Sequence, residues 1–432
     1  MINTIQKQLI NAEINEWTIL EKKSRSRELF FIRKDLDMNR SKDVSSFTVT
    51  VFKDYSEDCK NYRGSATVVL GNNMTEEEIS EKLKTAIYSA SFVRNAYYPI
   101  PSYANPQVSE NSGRLSERDL MPVLSEITES LFKNDSHSEG GINSAEIFVN
   151  QYEFHFVSSK GTDVSYKQNR GEIELICDWN KADKSVELYN MFSFADYSPS
   201  LIEDECRTQI EQCRFRAEAG NAAKIESVNI VLRDYAVREM MDFYRIHSNV
   251  QGIFEGTARG EKGKIFQGED VKGDLLDIIL DPALPHSPFS SPIDKDGVEL
   301  KKIQLFEKGK LLRYQGSQQY SHYMEEEASG LIPNIVVESG SHSVDDWKKE
   351  PYVEIMTFSD FQMDPMTGDF GGEIRLAIYF DGEKSIPISG ASISACLFDV
   401  QKEMYLSKER LDIENYSGPR YLMFPGGTIS GE

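Results

Sequence analysis

Through most of this chain apolar residues alternate with polar ones over short runs, and they fall on a helical period in only a few places. A helix through Ile14 opens the chain, and residues 28–33, 46–53 and 64–70 then read as strands. The middle run is the clearest, with Phe47, Val49 and Val51 alternating against Thr48, Thr50 and Phe52. Ile79, Leu83, Ala86, Ile87 and Ala90 make one apolar stripe down to about Phe92, and Thr75 and Glu78 stand at capping-box spacing ahead of it. Residues 97–113, rich in Pro, Ser, Asn and Tyr, read as a surface connection between two units.

Leu120, Val123, Leu124, Ile127 and Leu131 mark another helix. Residues 134–141 then form a polar loop, and strands are expected at 145–149, 152–157, 163–167 and 172–178, with Ser158-Ser159-Lys160-Gly161 as a hairpin turn. A helix over 199–219 places Ile202, Cys206, Ile210 and Cys213 on one face. From about Ile225 the texture is β-rich, with strands predicted at 228–232, 277–280, 302–306, 311–315, 352–358, 373–380 and 386–388, interrupted by one helix at 235–244. The order of elements is α+β: two N-terminal α/β meander-and-helix domains packed together, 1–110 and 111–224, followed by a C-terminal β-barrel-like domain, 225–432.

The stretch 363–376 crowds turn formers between strand-like runs. Asp364-Pro365 and Thr367-Gly368-Asp369 are turn chemistry, Gly371-Gly372 permits close backbone approach, and Asp381-Gly382 reads as a type I′ hairpin. Main chain bared at Gly371-Gly372 would suit an unfolded peptide added as a strand, with Thr367, Gly368 and Asp369 fixing the turn; glycines that only shape a barrel corner are the alternative.

Charge narrows the partners. With 48 Lys plus Arg against 70 Asp plus Glu, the formal net charge is -22, so the average surface repels nucleic acid and anionic lipid. No run of 18 apolar residues occurs, and five scattered cysteines without a CxxC pair suit a reducing, cytoplasmic setting. No phosphate-cradling glycine motif is present, and no cofactor is implied.

Two blocks carry a family resemblance. Thr367-Gly368-Asp369-Phe370, then a strand, then Asp381-Gly382-Glu383 and Ile386-Pro387-Ile388 form the first; Ser290-Ser291-Pro292-Ile293-Asp294-Lys295-Asp296-Gly297-Val298, with Ile303, Phe306 and Lys308-Gly309-Lys310-Leu311, form the second. Together they resemble the TldD/PmbA proteins, and the likeness extends diffusely ahead of Ile225. In the catalytic branch of that family a helix bearing His-Glu-x-x-x-His and a cysteine near the carboxy terminus hold zinc. Chain order puts the corresponding helix at 251–267, where there is no histidine and Glu255-Gly256 is the nearest echo; after Tyr416 there is no cysteine.

That pattern is similar to the metal-less PmbA (TldE) branch. The resemblance implies a non-catalytic subunit, without catalytic or metal-ligating residues, that pairs with a zinc-bearing TldD-like subunit to break down unfolded peptides. A zinc site built from the distant His155, His286 and His322, or a stand-alone homodimeric peptide-binding protein, are the alternatives. The six histidines never lie closer than about 18 residues apart. His322 with Glu325 reads as an acidic solvated helix face, Glu338 with His342 as loop, and His247 as a helix-end cation favoured by the macrodipole. Residues 290–298 and 363–372 are the expected association surfaces.

Overall fold

The computed structural model describes residues 1–108, 112–181 and 184–431. The first half is built on strands β1 (Glu16–Ile32), β2 (Asp35–Glu57), β3 (Lys60–Gly71), β4 (Asn95–Ala96), β5 (Gly140–Ser158), β6 (Asp163–Lys181) and β7 (Lys184–Phe194). They form one antiparallel sheet in the order β4-β3-β2-β1-β5-β6-β7. Two helix pairs cover the same face. Helices α1 (Ile2–Asn11) and α2 (Glu76–Ala90) bury Ile5, Leu9, Ile79 and Leu83 against Ile19, Phe47 and Val49, and the Thr75–Glu78 capping box closes as expected. Helices α3 (Met121–Phe132) and α4 (Pro199–Glu218) bury Val123, Ile127, Ile202, Cys206, Ile210 and Cys213 against Phe31, Ile147 and Ile173.

The strands are longer than periodicity suggested. The four runs expected between 145 and 178 are two continuous strands, β5 and β6, and β7 joins them. β1 begins at Glu16, ahead of the expected start at 28, and its polar run Glu21–Arg27 crosses the sheet where no helix of the described residues is packed. A trough of about 780 Å³ opens there, lined among others by Glu21, Lys23, Arg25, Asp43, Glu153 and Lys167. The expected boundary at 110/111 falls outside the described residues, and pairing of β1 with β5 runs one sheet through both expected N-terminal domains.

The second half comprises β8 (Gly220–Asn221), β9 (Ile225–Arg233), α5 (Tyr235–Ile246), α6 (Val250–Glu255), β10 (Ile278–Leu280), β11 (Ile303–Glu307), β12 (Lys310–Leu311), α7 (Gln318–Tyr323), β13 (Ile335–Val337), α8 (Val344–Trp347), β14 (Tyr352–Met363), β15 (Asp369–Phe380), β16 (Ser385–Ser389), β17 (Ala391–Cys396), α9 (Leu397–Val400), β18 (Tyr405–Leu406), β19 (Arg410–Ile413), β20 (Tyr416–Pro419) and β21 (Tyr421–Ser430). The path β14-β9-β21-β17-β15 closes on itself through β14–β15 pairing, making a five-stranded barrel filled by α5 side chains such as Val237, Met240 and Phe243. β21 comes from a tail in which sequence periodicity showed no strand, since Pro425-Gly426-Gly427 interrupts the alternation where the register with β9 shifts. Of the expected 311–315 strand, Leu311 of β12 pairs with Phe306 and Gln315 makes an isolated parallel bridge with Asn249. The expected type I′ turn is a four-residue loop instead: Asp381 is not in the left-handed region, and its carboxylate accepts the Glu383 and Lys384 N–H groups at 2.8 Å.

Residues 290–298, expected to meet a partner chain, make part of their contacts within the molecule, with Lys295 left exposed. Ile293 packs with Phe156 and Val164 on the helix-free face of the sheet, and Gln168 donates to the Ser290 carbonyl. The Asp294 carboxylate accepts N–H groups of Asp296 and Val298 at 2.9 Å and Leu331 at 3.3 Å. Burial, with Asp296 close by, nevertheless pushes its pKa up from 3.8 to about 6. The folded chain therefore holds this proton more tightly than the unfolded one. The contribution is fully present below pH 3.8 and is lost as pH rises through about 6, a difference of about 3 kcal/mol. Urea unfolding at pH 4 and pH 7 is expected to show that slope in the native chain and to lose it in Asp294→Asn; an equal slope in both would remove Asp294 as its source.

Candidate functional site

The segment at the family's metal position begins at the end of α5. His247, the C-cap of α5, is fully buried, with its ring centroid 4.1 Å from that of Phe243, 5.5 Å from Phe266 and 5.9 Å from Phe398. Burial pushes its pKa down, and Nδ1 accepts the Arg259 N–H at 3.0 Å, so the ring is neutral. The expected helix-end cation is thus corrected: desolvation outweighs the macrodipole here.

Asn249 caps α6 by accepting the Gln251 N–H, and Gly256, at φ 75°, ends it in the left-handed region. Glu255 is exposed, and one carboxylate oxygen accepts both the Gln251 side-chain amide at 3.1 Å and the Tyr320 hydroxyl at 3.0 Å. Phe254, 51% exposed, stands 5.7 Å from the Tyr320 ring and 5.4 Å from Tyr323. The Tyr323 hydroxyl donates to the Ala96 carbonyl at 2.7 Å, and its ring lies 6.1 Å from Tyr98, which ties this face to the N-terminal sheet.

These residues do not fit a catalytic metal. Gln251 and Phe254 are not ligands, Glu255 is already engaged, and among the described residues no three His, Cys, Asp or Glu side chains gather to hold an ion. His155, His286 and His322 lie apart: His155 pairs with Asp163 at 2.7 Å, His286 meets the Tyr416 carbonyl at 3.1 Å, and His322 lies on α7.

The turn between β14 and β15 is organised by Asp364, whose carboxylate accepts N–H groups of Met366 at 2.7 Å and Thr367 at 2.9 Å; these hold its pKa down. Thr367 Oγ1 accepts the Asp369 N–H at 3.3 Å, and Gly368, at φ 78°, presents its carbonyl to the Leu397 N–H at 2.7 Å. The open strand edge expected at Gly371-Gly372 does not exist. Asp369, Phe370, Gly371, Gly372 and Glu373 pair with β17, while Gly371 and Gly372 also face Gln362 and Phe361 of β14, so their main chain is engaged on both sides.

The two expected regions meet through a residue that neither pattern contained. Phe398 packs on Gly368, and the exposed Arg259 guanidinium lies 4.5 Å from the Phe398 ring centroid. Phe398, Tyr320 and Tyr323 escaped sequence reading because they lie on the short helices α9 and α7, and Arg259 because it lies in the loop after α6. The Tyr320/Tyr323 spacing of three was the only available sign.

Residues 225–431 match the family model described as the PmbA/TldA metallopeptidase C-terminal domain. The chain is 26% identical over 222 residues to an uncharacterized protein of Methanocaldococcus jannaschii; the match covers 46% of this chain and 53% of the other, about half the length of that curated relative. TldE from Thermococcus kodakarensis has the same fold, with TM-score 0.80 and 15% identity over 100% of both chains. A proposed modulator of a DNA gyrase from Thermotoga maritima superposes at TM-score 0.79 with 14% identity over 99% of both chains. A second such protein, from Bacteroides thetaiotaomicron, gives TM-score 0.76 and 14% identity over 100% of this chain and 99% of the other.

Proposed function

Because this chain belongs to the TldD/PmbA family, we propose that it is a PmbA (TldE)-like subunit of a peptidase assembly that degrades unfolded peptides, leaving the metal to a zinc-bearing TldD-like partner. The observation that carries this reading is α6: where the catalytic branch needs ligands, Gln251 and Tyr320 tie down a lone Glu255. Exposed Phe254, with Tyr320 and Tyr323, offers the partner an aromatic face of the kind that interface cores favour. A net charge of -22 argues against a nucleic-acid partner, and five unpaired cysteines suit the cytoplasm. Among the described residues no helix is long and apolar enough to cross a membrane.

Purified alone, the chain is expected to hold no tightly bound zinc and to leave an unfolded peptide intact. Mixed with a relative bearing His-Glu-x-x-x-His, it should elute as a heteromer that cleaves the peptide. About one zinc per chain by elemental analysis, together with cleavage by the chain alone, would overturn the reading.

A further inference from the structure

Arg259 stands apart from the arginines of α5. Arg238 is held by Glu239 and Glu414 and Arg245 by Asp242, whereas among the described residues no carboxylate pairs with the Arg259 guanidinium, in a chain of net charge -22. It is nonetheless fixed in place. The Arg259 N–H bonds to Nδ1 of the buried His247 at 3.0 Å, the Gly260 N–H reaches the His247 carbonyl at 3.0 Å, and the Ala258 N–H reaches the Gly252 carbonyl of α6 at 3.0 Å. Gly260 allows this approach, since a Cβ there would lie 2.3 Å from the His247 carbonyl oxygen. The guanidinium lies over Phe398, and that ring is fixed in turn by Gly368, where a Cβ would come within 2.9 Å of it, and by Phe243, with centroids 5.5 Å apart.

An exposed guanidinium held over an aromatic ring keeps its planar fork of N–H donors for a ligand. Such a fork matches the two oxygens of a carboxylate, and because it is already positioned little ordering entropy is lost on binding. The surrounding charge selects which carboxylate. A net charge of -22 repels nucleic acid and acidic segments, so the anion that approaches most easily carries a single charge on an otherwise neutral chain. The terminal carboxylate of a peptide is such an anion. Exposed apolar side chains belong to both segments that Phe398 joins: Phe254 precedes Arg259 on α6, and Met366, 54% exposed, precedes Gly368 in its turn. We propose that Arg259 anchors the C-terminal carboxylate of a peptide that ends in an apolar residue, with His247 and Phe398 positioning the guanidinium. This rests on the peptide-handling reading above and adds which end of the peptide the subunit holds.

The probe is an N-terminally labelled hexapeptide of Ser, Ala and Leu ending in Leu, compared as the free acid, as the C-terminal amide, and as an amide carrying one Glu. By fluorescence anisotropy the native chain is expected to bind the acid at least about tenfold more tightly than either amide. Arg259→Gln should abolish that preference and melt like the native chain, since Arg259 is exposed. Arg259→Lys should keep only part of it, because an ammonium has no planar fork, and Phe398→Leu should lower it without changing the affinity for the amide. Equal binding of acid and amide, no binding of either, or a preference that survives Arg259→Gln overturns the proposal. So does equally tight binding of the Glu-bearing amide, which would assign the guanidinium to acidic side chains. So does an Arg259→Gln chain that binds the acid normally but no longer joins the zinc-bearing relative, which would assign the cation to the partner. A heteromer that cleaves peptides while the chain shows no preference leaves the subunit reading standing and removes this site. A preference shown by the chain while no mixture cleaves any peptide keeps the site and removes the subunit reading.

Discussion

A chain carrying valine at both Gly371 and Gly372 is expected not to fold its carboxy-terminal half. A Cβ on Gly371 would lie 2.4 Å from the Ile393 carbonyl oxygen of β17, and one on Gly372 would lie 2.2 Å from the Asp360 carbonyl oxygen of β14. Both obstacles are backbone atoms of neighbouring barrel strands, so no rotamer change relieves them, and a closed barrel cannot let one strand drift away without opening. Even a single alanine should cost about 3 kcal/mol, the upper range for overpacking, against a total stability of about 5–15 kcal/mol. Thermal unfolding followed by circular dichroism measures it. A double valine chain that melts like the native one would show that the barrel yields here. The same substitution in a strand-addition site would have spared folding, which distinguishes a structural role for these glycines from a binding role.

Replacing Arg63 with leucine is expected to destabilise the amino-terminal half by about 1.5–3 kcal/mol, because it removes a fully buried guanidinium together with its charged hydrogen bonds to the exposed Asp54 and its ion pair with the half-buried Glu16. The Arg63 side chain is fully buried; it donates two 2.7 Å hydrogen bonds to Asp54 and lies 2.7 Å from Glu16. Its guanidinium also lies 4.6 Å from the Tyr97 ring centroid and 5.6 Å from Tyr98. Tyr98 meets Tyr323 beside α6, so the loss should loosen the face proposed for the partner as well. Urea denaturation checks the first effect, and affinity for the zinc-bearing relative checks the second. Arg63→Lys should recover only part of the stability, since an ammonium cannot reproduce the fork that Asp54 accepts. A leucine variant of unchanged stability would mean that the cost of burying the guanidinium cancels what its bonds to Glu16 and Asp54 contribute.

Periodicity found the elements whose environment is uniform along their length. The α2 stripe with its Thr75–Glu78 box, the α4 face with Cys206 and Cys213, and the hairpin turn after Ser158 were all readable, since each depends on neighbours three or four residues away. It failed where a strand passes from under a helix into open trough, as β1 does at Glu21–Arg27, because the alternation then carries no apolar signal.

By itself the sequence determined the α+β class, the barrel-like second half, the family resemblance, and that residues 251–267 hold no histidine. These are properties of residue identity and local spacing. Closure of the barrel through β14–β15 pairing, docking of residues 290–298 onto the sheet, and the meeting of Phe398 with Gly368 and Arg259 were decided only by the tertiary structure. So was the exchange of strand edges, with Gly371-Gly372 enclosed and Asp35–Ser45 left open. Whether a strand's hydrogen-bonding groups are free depends on which distant segment lies beside it and where that segment ends, and no local pattern of side chains encodes either.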